Sequence, residues 1–184
     1  MALTKVRGAG AEGLTLSSTS LTVANGLTLT DGDVTFADGH GLNFASTGDG
    51  SGTDSSELFH DYEEGAWGPT LPNGGSASSN RSIYTKIGDM VTAYTYVTLT
   101  SIPNDSSTFR IGGLPYTSAA TMYWVATGYN NSSDNNNDNV IVICFPGTTS
   151  LYYYSQGLQG VSQIPGNNLG HTTSQLWQIT YRTA

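Results

Sequence analysis

Positive charge is in short supply: the chain has six Lys and Arg in 184 residues, against 14 Asp and Glu. No basic stripe exists to neutralise phosphates, which argues against a nucleic-acid partner. Charge of either sign is sparse, at 11% of residues where about 25% is ordinary. Disorder usually combines low hydrophobicity with high charge density, and the second half of that signature is missing. There is one cysteine, Cys144, which excludes an internal disulfide and a Cys-built metal site. Its setting in Val140-Ile141-Val142-Ile143-Cys144-Phe145 predicts a small buried hydrophobe. No apolar run approaches the ~18 residues of a spanning helix, so membrane insertion is not expected. The start, MALTKVRGAGAEG, has no apolar core of a signal peptide, so synthesis in the cytoplasm of the producing cell is expected.

The space left by charge is filled by Gly, Ser, Thr and Asn, with 11 Tyr in addition. That mixture reads as β-strands joined by tight turns. The charge is also uneven. Residues 1–64 hold two bases and ten acids, hence the whole net charge of −8, while residues 65–184 hold four of each.

Between Gly13 and Ser46 one small pattern recurs five times: apolar, small polar, apolar. The pairs are Leu14/Leu16, Leu21/Val23, Leu27/Leu29, Val34/Phe36 and Leu42/Phe44. A spacing near seven invites a coiled-coil reading, but heptads put apolar residues three apart. Here they are two apart, which is strand alternation. The intervening Asn25-Gly26, Asp31-Gly32-Asp33 and Asp38-Gly39-His40-Gly41 are turn formers. One chain cannot stabilise such a ladder. Ten apolar side chains fall well short of offsetting the entropy of ordering the segment, and very short strands leave edge N–H and C=O groups unpaired. Three copies wound about one axis meet both needs. The expectation is therefore a homotrimer, with all ten pair residues in the core at the axis and the acidic turns outside; the alternative is a hairpin meander packed on the C-terminal domain.

Residues 47–57 read as a linker, being rich in Gly, Ser and Asp. Beyond it, Asp61-Tyr62-Glu63-Glu64-Gly65 reads as a helical or tight turn, and Trp67 and Leu71 as the edge of a first strand. Ser82–Ile87, Met90–Thr100, Phe109–Ile111, Met122–Gly128, Val140–Phe145, Leu151–Tyr154 and Leu176–Tyr181 follow as strands, with a hairpin turn or bulge at Gly88-Asp89. The fold expected is all-β: a short intertwined trimeric β stalk followed by an antiparallel, jelly-roll-like β-sandwich. The expected segments are an N-terminal anchoring arm (1–12), the stalk (13–46), the linker (47–57) and the sandwich (58–184).

Catalytic and metal-binding patterns are scarce. His60, Asp61, Glu63 and Glu64 form the one local cluster, but His-x-x-Glu without a second His is no zinc site. The Asn130–Asn139 run alternates Asp134, Asn136 and Asp138 as calcium loops do. It lacks the Gly and Glu that such a loop wants at Asn139 and Phe145. No GxSxG motif, phosphate loop or nucleophilic Cys context appears. No catalytic residue, metal or cofactor is expected. Aromatics are the surplus. Trp67, Trp124, Trp177 and Tyr152-Tyr153-Tyr154 serve either core packing or stacking on sugar rings. Alternation sets Tyr153 opposite Tyr152 and Tyr154. The candidate glycan contacts are Tyr152, Tyr154, Trp124, Asn130 and Asn136.

GLTLTDGDVTFADGHGLNFAS (26–46) followed by ELFHDYEEGAWGPTL (57–71) resembles a segment of bacteriophage virion proteins, especially tail-fibre-like and decoration proteins of aquatic phages. YTKIGDMVTAYTYVTL (84–99) and FRIGGLPYTS (109–118) are similar to the strands that follow in that family. The resemblance ends near residue 118. It implies a non-enzymatic homotrimer on the virion surface, bound to other virion proteins of capsid or tail through the N-terminal arm. About 12 residues precede the repeat, which suits a peg or arm. Two readings follow: a capsid decoration protein or small spike, and a tail-fibre tip that recognises host surface glycans. A tailspike glycan hydrolase would want a long parallel β-helix, for which the chain has no room.

Overall fold

The structure is a computed structural model. It describes residues 28, 30–37, 40–43, 58–59, 61–102, 106–131, 140–157, 160–168 and 174–183. The chain divides into two compact units, Met1–Thr35 and Phe36–Ala184. The described residues of the first unit are exposed, and the chain bends at Thr30–Gly32. Gly32 sits there at φ 99, the left-handed conformation that the Asp31-Gly32 turn requires.

In the second unit, β1 (Leu42–Asn43) and β2 (Leu58–Phe59) form a two-stranded antiparallel ladder with Leu42 opposite Phe59. Leu42 thus meets a ladder partner in its own chain. Val34 and Phe36 lie outside any strand. Leu14, Leu16, Leu21, Val23, Leu27, Leu29 and Phe44 lie outside the described residues.

The remaining strands are β3 (Glu63–Ala66), β4 (Ser76–Ile87), β5 (Met90–Ser101), β6 (Arg110–Gly112), β7 (Trp124–Asn130), β8 (Val140–Cys144), β9 (Ser150–Gly157), β10 (Gly160–Gln163) and β11 (Ser174–Arg182). One short 3-10 turn, Gly166–Asn168, interrupts an otherwise all-β chain among the described residues. The sheet is nine-stranded, in the order β10-β9-β8-β7-β11-β5-β4-β3 with β6 beside β9, and every pairing is antiparallel. Asp61–Gly65 is not a helical turn. Asp61 takes φ 57, a left-handed conformation that Asp tolerates, and the chain then runs straight into β3.

The sheet folds over at β7. Trp124–Ala126 pairs with β8, and Thr127–Asn130 pairs with β11. It closes on the far side through an isolated bridge, in which the Thr70 and Gly112 N–H groups each donate to the other's carbonyl at 2.9 Å. Two Greek keys result, with β11 returning beside the β7-β8-β9 meander and β6 returning beside the chain leaving β3.

The core lies between the two halves. Val91, Ala93, Val97 and Leu99 of β5 and Trp177, Ile179 and Tyr181 of β11 meet Ile111, Val142, Cys144, Leu151 and Tyr153 from the other half. Strict alternation in β5 and β11 puts every second residue inward. The Tyr153 ring stands edge-on to Trp177 at 5.5 Å and to Phe109 at 4.8 Å, tying the layers together. Buried Gln175 satisfies the polar groups there: its Oε1 accepts from Tyr153 Oη (3.4 Å) and Trp177 Nε1 (3.3 Å). Its Nε2 donates to Asn130 Oδ1 at 2.5 Å. Cys144 is fully buried, as expected, and burial pushes its thiol pKa up.

Candidate functional site

Three features could carry function, and the acidic turn is the most polar. Glu63, the first residue of β3, lies opposite Lys86 of β4. Its carboxylate accepts hydrogen bonds from the hydroxyls of Tyr116 and Tyr84. Those two rings meet edge-on at 5.7 Å. Lys86 faces inward and is buried; its ammonium pairs with Asp61 and stands 5.5 Å from the centre of the Tyr116 ring. Tyr62 donates to Glu64. Gly65 leaves room for this arrangement, since a Cβ there would fall 2.8 Å from the Tyr84 ring. A buried cation without a partner would be costly, so this network is what lets β3 lie on β4. Among the described residues no group of three His, Cys, Asp or Glu stands together as metal ligands would.

The hydrogen bonds from Tyr116 and Tyr84 hold the Glu63 carboxyl pKa below the usual carboxylate range. The bonds to Glu63 in turn raise both tyrosine pKa values. A carboxyl depressed in the folded state contributes stability that is complete above its unfolded value, about 4.3, and is lost as pH falls below it. Tyrosines raised in the folded state contribute stability that is complete below about 10 and is lost as pH rises past it. Urea unfolding of Glu63→Gln should show a smaller loss of stability between pH 6 and pH 3 than the parent. Parallel acid limbs would show that Glu63 carries no such coupling.

The second feature is the outer face of β4-β5-β11-β7. Residues directly opposite one another form two rows across the four strands, Arg81-Tyr96-Leu176-Tyr129 and Ile83-Tyr94-Gln178-Thr127. Ile83, Tyr94, Tyr96, Tyr129 and Leu176 are all exposed. Between them lies an open depression of about 560 Å³. Gly128, on the inner side opposite Trp177, lets β7 approach β11 too closely for any side chain there.

The third feature is the outer face of β6-β9-β8-β7. Arg110, Tyr152, Ile143 and Val125 lie side by side across it. The Arg110 Nη1 donates to Tyr152 Oη at 3.2 Å, and its guanidinium stands 5.6 Å from the Tyr152 ring centre. Phe145 is the hub of an aromatic cluster, with ring centres at 4.8 Å to Tyr152, 5.1 Å to Tyr123 and 6.1 Å to Tyr154. Tyr123 is exposed; Phe145, Tyr152 and Tyr154 are half-buried.

Part of the fold is similar to part of a tailspike protein. The crystal structure of Dettilon tailspike protein superposes on the chain with a TM-score of 0.54 at 17% identity, covering 66% of this chain and 24% of that one. The chain thus matches about a quarter of that protein's length, and the likeness is one of fold. No protein-family model matches the sequence, and no curated protein does.

The sequence candidates are only partly brought together. Tyr152 and Tyr154 do share the outer face, with Tyr153 buried opposite. Trp124 leaves the group: it lies opposite Cys144 on the inner side and packs against the core. Asn130 is committed to Gln175, and Asn136 lies outside the described residues. His40 is exposed, its N–H donating to the Ala37 carbonyl at 3.0 Å, while His60 and His171 are not described. Sequence reading missed the Tyr94/Tyr96/Tyr129/Leu176 face. Its signal was present in β5, where every outward position from Met90 to Thr100 is large or β-branched.

Proposed function

We propose that the chain is a non-enzymatic structural subunit of a bacteriophage virion. It is a homotrimeric surface spike or fibre, attached through its N-terminal residues, that presents the β-domain outward. The observation that carries this reading is the state of Val34, Phe36 and Leu42. These members of the repeated apolar pairs are 45–53% exposed in the single chain, so they lack the cover that an apolar repeat of this kind needs. The resemblance of residues 26–71 to virion proteins and the fold likeness to a tailspike protein support the virion setting, and the latter favours tail over capsid.

Native mass spectrometry of the full chain should give three times 19.4 kDa. A stable monomer at micromolar concentration would overturn the trimer. A second reading, recognition of host surface glycans, is favoured by the Tyr123-Phe145-Tyr152-Tyr154 face, whose rings suit the apolar faces of sugars. On a glycan array, binding that is lost in a Tyr152→Ala/Tyr154→Ala variant would support it. Release of reducing sugar would instead sink the non-enzymatic assignment.

A further inference from the structure

The outer face of β4-β5-β11-β7 has as much apolar surface as the largest patches of solitary subunits. Ile83, Ile87, Met90, Tyr94, Tyr96, Tyr129 and Leu176 project from it and are between 37% and 58% exposed, equivalent to about three whole side chains. At ~200 Å² for a large side chain, this is roughly 600 Å² of apolar surface, the upper end of what monomers expose. Thr92, Thr127, Gln178 and Thr180 are interspersed and raise the total toward the ~800 Å² per partner of a stable interface. By this reckoning about three quarters of the face is apolar, closer to the ~65% of homodimer interfaces than to the ~57% of the ordinary surface.

We infer that this face is where the β-domain of one copy packs against a second copy of the same chain. The inference rests on the trimeric reading. Two observations point to a copy of the chain as the occupant. First, charge is confined to the margins, with Arg81 at one corner and the Arg182–Asp89 ion pair at the end of β11. No other charged side chain projects outward from these four strands, so like charges are few across the face. Second, β5 and β11 are each paired on both sides, so no strand can be added here and the contact must be made face-on through side chains. A face-on apolar contact among three copies uses the same residues three times, which suits two regular cross-strand rows better than a site built for a small polar ligand.

Maleimide labelling tests this on the full chain. Native Cys144 is fully buried and stays silent, so an introduced thiol is the sole reporter. Gln178→Cys places it in the middle of the face, and Val161→Cys places it on the exposed edge strand β10 as a reference. Both positions are exposed in the single chain, so neither variant disturbs the core. In the assembled protein the Gln178→Cys thiol should react at least about tenfold more slowly than the Val161→Cys thiol, as stably covered groups do. Equal rates in an assembly whose mass is that of a trimer would overturn this inference and leave the trimer standing. Protection in an assembly of another stoichiometry would keep the face and overturn the three-fold reading. A monomeric protein that labels freely at both positions would overturn both.

Discussion

Gly128→Ala should leave little folded protein at 25 °C. A Cβ at this position would lie 1.9 Å from the Leu176 carbonyl oxygen, 2.9 Å from its carbon and 2.7 Å from Trp177 Cε3. Two of those three atoms are backbone of β11, which is held by β5 on its other side along nine residue pairs. Nothing flexible can give way, so either β7 leaves β11 or β11 leaves β5. Both movements open the fold-over between the two halves of the sheet, with Trp177 and Tyr153 at its centre. Losses above ~4 kcal/mol come from this kind of mechanism, and a domain of this size has roughly 5–15 in total. Gly147→Ala is the control. Gly147 has φ 69 and open space around it, so an added methyl meets only the left-handed strain of about 1–2 kcal/mol. Urea unfolding followed by tryptophan fluorescence compares the two. If Gly128→Ala unfolds at the same denaturant concentration as Gly147→Ala, the close approach of β7 to β11 is not a constraint.

Gly128 also shows what a sequence can and cannot reveal here. MYWVATG reads as a strand because it is rich in aromatic and β-branched residues, and a strand, Trp124–Asn130, is there. That the strand changes partners in mid-run depends on the Leu176 carbonyl, 48 residues away, and no local pattern encodes it. The same division holds elsewhere. β5 was legible nearly to the residue, because its Thr, Val and Tyr alternate and Gly88-Asp89 makes the turn before it. β4 begins six residues before its apolar part, in Ser76–Arg81, because pairing to β5 carries a polar segment into the ladder. β10, Gly160–Gln163, was invisible: its burial is low throughout, and pairing with β9 alone makes it a strand.

The candidate sites divide in the same way. Tyr152 and Tyr154 follow from period two. Trp124 misled because its side is set by the pairing of β7 with β8, which puts it opposite Cys144. The role of Asp61 and Glu63 was out of reach, since their partners Lys86, Tyr84 and Tyr116 come from a hairpin and a loop 21 to 53 residues downstream.

Phe36→Asp should leave the single chain intact and abolish the assembly. Phe36 is 45% exposed and outside any strand, so in one isolated chain an aspartate there stays in water and removes no core contact. In the proposed trimer the same position recurs three times around one axis. Three carboxylates would then be enclosed together in apolar surroundings. Burial of an unpaired ion costs several kcal/mol after relaxation, and like charges a few ångströms apart add to it. The carboxyls would escape by protonating, so the damage should ease as pH falls toward 4. Asp31→Ala is the matched control: Asp31 is exposed at the Thr30–Gly32 bend, and its loss should shift stability by no more than ~0.5 kcal/mol. Native mass spectrometry at pH 7 should therefore find trimer in Asp31→Ala and monomer in Phe36→Asp. Circular dichroism should show the same β signature in both. Trimer in Phe36→Asp at pH 7, as stable as in the parent, would place residue 36 in solvent in the assembly and remove the axial stalk from the proposal. Unfolded Phe36→Asp monomer would instead mean that the β-domain depends on assembly for its own fold.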